Sequence, residues 1–261
     1  MAWHSKRANI KHRKAAQDQK KAKIYAKAAK VIQLAAKQWD DPSLNPALDV
    51  AIKSAKQVWL NKDAIQRAID TWAWNSTGEE LVEIFYEGYG PGGAALYIKA
   101  ITSNTNRSWA NIRAILSSYG WSLGQPNSVA RQFDEMGEIV LDWLLEHTTS
   151  KWKNVATLVP LDTDELEMTL LESEATDREF ENIAEDDSQE QIGALITTTR
   201  DGLLSTQALL ESNNYSITHS WLIFVPQNLI DVSEREQEKL ERLIDALDDD
   251  DDVDTIWHSA A

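Results

Sequence analysis

Apolar residues recur every three to four positions through the first third of the chain. Ile24, Ala28, Val31, Ile32 and Ala35 form one such stripe and predict an amphipathic helix. Asp40-Asp41-Pro42 ends it, because proline lacks the N–H that a continuing helix needs. Asn45-Pro46 then offers an N-cap with proline at the first helical position, followed by Leu48, Ala51, Ile52, Ala55 and Val58 on one face. Asn61 can cap a third helix bearing Ile65, Ala68, Ile69 and Trp72. Asn75-Ser76-Thr77-Gly78 reads as a linker that closes this small helical bundle.

From residue 80 the period changes. Residues 81–86 and 94–101 read as strands joined by Glu87-Gly88-Tyr89-Gly90-Pro91-Gly92-Gly93. A helix carrying Ile112, Ile115 and Leu116 follows, and then a strand over Ser128 to Phe133. Further strands are expected at 137–142, 154–159, 193–198 and 216–225. Asp162 with Glu165 starts one helix, 203–210 forms another, and a Ser233/Glu236 capping box opens a last one bearing Leu240, Leu243, Ile244 and Leu247. A short strand over Val253 to Trp257 returns to a sheet. Strands and helices in this mixture imply an α/β protein of the α+β kind, with two sheet units after the bundle and boundaries near 134 and 213.

Charge sharpens this picture. Among the 261 residues, 1–37 hold eleven Lys/Arg against one acid, a net of +10, whereas 162–261 hold five bases against twenty-seven acids, a net of −22. A basic arm on an acidic body is the electrostatic footprint of a polyanion contact. The alternative is an arm that packs on the protein's own acidic face. The candidate contact residues are Lys6, Arg7, Lys11, His12, Arg13, Lys14, Lys20, Lys21 and Lys23, spaced every few positions with one intervening acid. The run Asp248 to Asp252 reads as a solvated acidic cap, since five carboxylates are unfavourable at a helix C-terminus.

Candidate chemistry is sparse. The chain has no cysteine, which excludes disulfides, thiolate metal sites and thiol nucleophiles. The five histidines lack metal-ligand spacing. The glycine-rich loop precedes a strand rather than a helix and has no Lys-Ser/Thr pair, so it reads as a turn, with Tyr89 kept as a possible stacking contact. No apolar run reaches the ~18 to 20 residues of a spanning helix. No secretory-signal core is evident, and the expected location is cytoplasmic. The expectation is therefore a non-enzymatic protein without cofactor, metal, membrane or small-molecule substrate.

Several motifs together carry a family resemblance. They include His4-Ser5-Lys6, the run Ala8 to Asp18, Lys62-Asp63-x-Ile65-x-Arg67-Ala68-Ile69, Tyr86 to Gly93, Asn104-x-Asn106-Arg107, and Leu123-Gly124 with Ser128-Val129-Ala130. On these residues the chain resembles the YebC/PmpR family, over nearly its whole length. The resemblance implies three domains without enzymatic activity: residues 1–77, a middle domain of 78–133 plus 214–261, and an inserted domain of 134–213. It implies a regulator acting either on promoter DNA in transcription or on the ribosome and its rRNA in translation. Apart from the resemblance, a protein-interaction adaptor working through the acidic domains is a third reading. Asn104 and Arg107 join Tyr89 as secondary contact candidates. No base-reading helix-turn-helix is evident, which favours the ribosome.

The chain departs from the family at Trp3, Trp39, Trp72, Trp74 and Trp121, where the resemblance implies glycine, and at Arg7, where it implies tryptophan. Tryptophan is a poor replacement where positive φ is needed. The expectation is that some of the eleven tryptophans are UGA codons that the organism reads as glycine.

Overall fold

A computed structural model describes residues 21–74, 80–150, 153–182 and 192–261. Two compact units emerge, Met1–Gln132 together with Asn228–Ala261, and Phe133–Gln227. The architecture is mixed α+β with two antiparallel sheets.

The first unit contains two apolar cores. Helix α1 (21–35), α2 (Pro46–Gln57) and α3 (Lys62–Trp74) bury Ile32, Leu48, Ala51, Ile52, Ile65 and Ile69 against one another. These are the positions the apolar periodicity marks, and each large aliphatic side chain buried contributes roughly 1.5–3 kcal/mol. Asn45 ties the bundle together locally. Its Oδ1 accepts from Leu48 N at 3.1 Å, capping α2, while its Nδ2 donates to Ala35 O at 2.8 Å and Trp39 O at 2.7 Å, securing the end of α1. Asn61 caps α3 through Ala64 N.

The second core of this unit lies between a sheet and two helices. Strands β1 (Val82–Tyr89), β2 (Ala95–Thr102), β3 (Ser122–Leu123) and β9 (Val253–His258) run in the order β3-β1-β2-β9. Leu96, Ile98 and Ala100, alternate residues of β2, meet Ile112 and Leu116 of α4 (Thr105–Ser118) and Leu240, Leu243 and Leu247 of α7 (Glu234–Asp248). The glycine-rich loop is a turn, as its sequence implies. Gly92 has φ +69, and a Cβ there would come within 2.5 Å of Val232 Cγ1 on the approach to α7.

The second unit is a five-stranded sheet of β4 (Phe133–Ser150), β5 (Lys153–Val159), β6 (Ala175–Asn182), β7 (Ile192–Thr199) and β8 (Tyr215–Pro226). Along one edge of β4, β7 pairs over Met136–Leu141 and β5 over Leu144–Ser150. Its other edge carries β8 from Phe133↔Pro226 to Leu144↔Tyr215. Helices α5 (Thr163–Leu170) and α6 (Leu203–Ser212) supply Leu166, Leu170, Leu203 and Leu210 to a core shared with Ile139, Leu141 and Ile196.

Three expectations are corrected. Tyr215–Pro226, expected in the middle domain, pairs with β4, so the second unit extends to Gln227. The strand expected over Ser128 to Phe133 is instead a loop with a 3-10 turn at Ala130–Gln132, and β4 begins at Phe133. The Glu87 carboxylate accepts from the amides of Asn127 at 2.6 Å and Ala130 at 2.9 Å, and from Val129, which removes them from any ladder. The left-handed backbone expected at the odd tryptophans is likewise absent from Trp39 and Trp121, and Trp72 and Trp74 lie in α3. Trp3 lies outside the described residues.

Replacing Asn45 by Ala removes a cap and the side-chain bonds to the Ala35 and Trp39 carbonyls, and is expected to cost about 2–3 kcal/mol. Urea unfolding followed by far-UV circular dichroism measures this, and Asn45→Asp, which keeps only the cap, falls between the two.

Candidate nucleic-acid interface

Of the nine basic candidates, Lys21 and Lys23 lie in the described part of α1, whereas Lys6, Arg7, Lys11, His12, Arg13, Lys14 and Lys20 lie outside the described residues. Helical spacing puts Lys23, Lys27 and Lys30 on one face, at i, i+4 and i+7. That face meets the acidic run after α7. Lys23 Nζ donates to Asp249 O at 2.8 Å and Oδ1 at 3.2 Å. Lys27 Nζ donates to Asp248 O at 2.6 Å and Oδ1 at 2.8 Å. Lys30 Nζ reaches Asp251 O at 2.7 Å and Asp252 Oδ1 at 2.9 Å. The Asp248–Asp252 run is therefore a partner for the α1 lysines as well as a largely solvated cap, with Asp252 alone buried. Cations at the carbonyl end of α7 oppose both its dipole and its crowded carboxylates.

The acids of this contact differ in burial. The side chains of Asp248 and Asp249 are 66% and 71% exposed, and that of Asp252 only 4%. Asp252 accepts two hydrogen bonds from Arg107 Nη2, at 2.9 and 3.1 Å, one from Thr102 Oγ1 at 3.1 Å and the one from Lys30. Burial pushes its carboxyl up, but Lys30 and Arg107 outweigh burial and hold it below the ordinary carboxylate value. Asp250 organises the same loop, its carboxylate accepting from Asp252 N and from Asn111 Nδ2.

The three secondary candidates serve the fold. Asn104 Oδ1 caps α4 by accepting from Arg107 N at 3.0 Å, and Arg107 itself is engaged by Asp252. The Tyr89 hydroxyl donates to Ser128 O and accepts from Gln132 Nε2, both at 3.2 Å, which fixes the ring at the surface beside the Glu87 loop. Burial raises the Glu87 carboxyl, but the backbone amides it receives more than offset this and lower it. Residue spacing alone marks the lysine row of α1. Packing on the protein's own acidic face is the alternative the charge pattern offers, but which acids the lysines meet is invisible in the sequence, because the two segments lie 221 to 226 residues apart.

The model of the TACO1/YebC N-terminal domain matches residues 5–73, and that of the TACO1/YebC second and third domain matches 81–260. The chain belongs to the TACO1/YebC family. A relative from Enterococcus faecalis, named "Probable transcriptional regulatory protein", is 36% identical across 100% of this chain and 99% of its own. One of the same name from Maridesulfovibrio salexigens is 38% identical, with 100% and 95% covered. The crystal structure of a conserved hypothetical protein, Aq1575, from Aquifex aeolicus matches with TM-score 0.75 and 26% identity, covering 92% of this chain and 90% of that one. Among the described residues of this family member, no helix is long and apolar enough to cross a membrane.

A carboxyl held low by folding stabilises the protein above its unfolded titration range and loses that contribution as pH falls through the lowered folded value. The Asp252 contribution is thus full above roughly pH 5 and fades below it. Asp252→Asn is expected to cost about 2–3 kcal/mol at neutral pH and to flatten the acid limb of the stability profile, measured by urea unfolding at a series of pH values.

Proposed function

We propose that this protein is a non-enzymatic regulator of gene expression that binds the ribosome through rRNA contacts of its basic N-terminal arm, in the cytoplasm, and supports translation. The observation that carries this reading is charge segregation, with eleven of the 26 Lys/Arg in residues 1–37 and an acidic remainder. Phosphates attract such an arm while the body of the protein is repelled, so the chain is oriented with its body outward. Lys6, Arg7, Lys11, His12, Arg13, Lys14, Lys20, Lys21 and Lys23 are the proposed contacts.

A second reading, binding of promoter DNA in transcription, is favoured by the relatives' printed names. The helical domain offers it little. The exposed side of α3 mixes Lys62 and Arg67 with Asp63, and Arg67 Nε is spent on Asp63 O at 3.1 Å. A helix that reads base edges needs donors directed outward and few acids near the phosphates.

Sedimentation through a sucrose gradient with ribosomes, at low and at moderate salt, tests the first reading. The full chain is expected to migrate with ribosomes at low salt and to be released steeply as salt rises. Lys11→Ala/Arg13→Ala/Lys14→Ala is expected to lose roughly tenfold or more in affinity. Migration that ignores both salt and these substitutions would sink the arm as the binding element. A protein that stays at the top of the gradient while shifting promoter DNA would favour transcription.

A further inference from the structure

We infer that the acidic run Asp248–Asp252 is an internal competitor for nucleic acid, holding part of the lysine row of α1 until phosphates replace it. This inference rests on the polyanion-binding reading above. The three lysines face an array of carbonyl and carboxylate oxygens, the same class of acceptor that a phosphodiester chain presents. The contact is graded from its inner to its outer end. Lys30 is held at Asp252, which is buried and also gripped by Arg107 and Thr102. Lys23 and Lys27 instead meet the exposed Asp248 and Asp249, where ion pairs are weak and screened by salt. Lys23 and Lys27 are therefore the two that change partner, and Lys30 remains as the pivot. Lys23 and Lys27 continue the basic arm along the helix, so exchange lengthens the phosphate-binding surface without dismantling the core.

The Asp248→Asn/Asp249→Asn double variant leaves Asp252 and the backbone carbonyls in place. Its binding to a single-stranded RNA oligonucleotide, followed by fluorescence anisotropy across a salt series, is expected to be roughly threefold to tenfold tighter than that of the unaltered protein at low salt. Neutralising the acids steepens the salt slope on either account, so the same double variant is also made in a Lys23→Gln/Lys27→Gln background. The gain in affinity is expected to vanish there, and a gain that persists means the acids have merely repelled the RNA at long range and overturns the competitor. Equal affinity of the two proteins also overturns the competitor while leaving the nucleic-acid reading intact. Failure of both to bind RNA at low salt removes that reading, and the competitor with it.

A separate observation concerns position 59. Among the described residues, six have positive φ: Gly92, Gly93, Gly120, Asn127, Asn214 and Trp59, the last at +64°. Trp59 follows the C-cap of α2, with Trp59 N bonded to Lys56 O and Leu60 N to Ala55 O, each at 3.0 Å. This is the Schellman pattern, whose left-handed residue is usually glycine. The indole is 85% exposed, so little burial offsets the strained backbone. Tryptophan also outnumbers glycine in the chain, 11 to 10, although glycine ordinarily makes up about 7% of residues. We propose that the cell installs glycine at position 59 by reading a UGA codon as glycine.

Peptide mass spectrometry of the protein isolated from its own cells decides the matter. Glycine at 59 over a UGA codon is the expected result, and tryptophan at 59, or a UGG codon, overturns it. Trp59→Gly in a chain made with tryptophan is expected to raise the folding constant about tenfold relative to Trp59→Ala.

Discussion

The buried Asp252 carboxylate is the point on which the first unit closes. It lies between α7 and β9, and it collects Arg107 from α4, Thr102 from the end of β2 and Lys30 from α1. Its neighbour in the backbone ladder is equally committed, since Ile101 N donates to Asp252 O at 2.8 Å. A charge this buried is tolerable only with its hydrogen bonds in place, which makes the arrangement strict about geometry. The helical bundle therefore meets the sheet domain through ions, whereas each has an apolar core of its own.

Much of this fold was legible in residue order. The caps at Asn45, Asn61 and Asp162 and the capping box at Ser233 each place a helix start correctly, because each depends on a side chain within three residues of the amide it serves. The near-continuous apolar run of β2, which is buried on both faces, and the 3.6 period of α7 likewise mark buried elements. What failed depends on distant partners. Ser128-Val129-Ala130 has strand-like residues, yet Glu87, some forty positions away, takes its amides. The charged strand β6 carries no apolar alternation, and only its pairing with β7 makes it a strand. The final strand of the second unit follows a helix in the same way as a returning middle-domain strand would, so local pattern could not assign its sheet.

The candidate interface was half legible. Clustered lysines mark the candidate surface, and the helical spacing of Lys23, Lys27 and Lys30 orders them on one face. Their present partners could not be read locally. Asp248 to Asp252 looks like a solvated run because a sequence shows the repulsion among its carboxylates and not the cations that arrive from the other end of the chain. The secondary candidates have structural partners that were equally hidden: Asn104 and Arg107 build one helix start and one ion pair, a structural use of polar residues that resembles a binding motif in sequence.

The discontinuous course of the first unit has a consequence during synthesis. Its lysine-bearing helix is made early, whereas α7, β9 and the acids between them come from the C-terminal part, after all of Phe133–Gln227. Lys27 and Asp248 are separated by 221 residues. At about 5–20 residues per second, that interval is on the order of ten to forty seconds. Throughout it the nascent chain presents an uncovered row of cations at the surface of the particle making it, and the acids that will cover that row have yet to be translated.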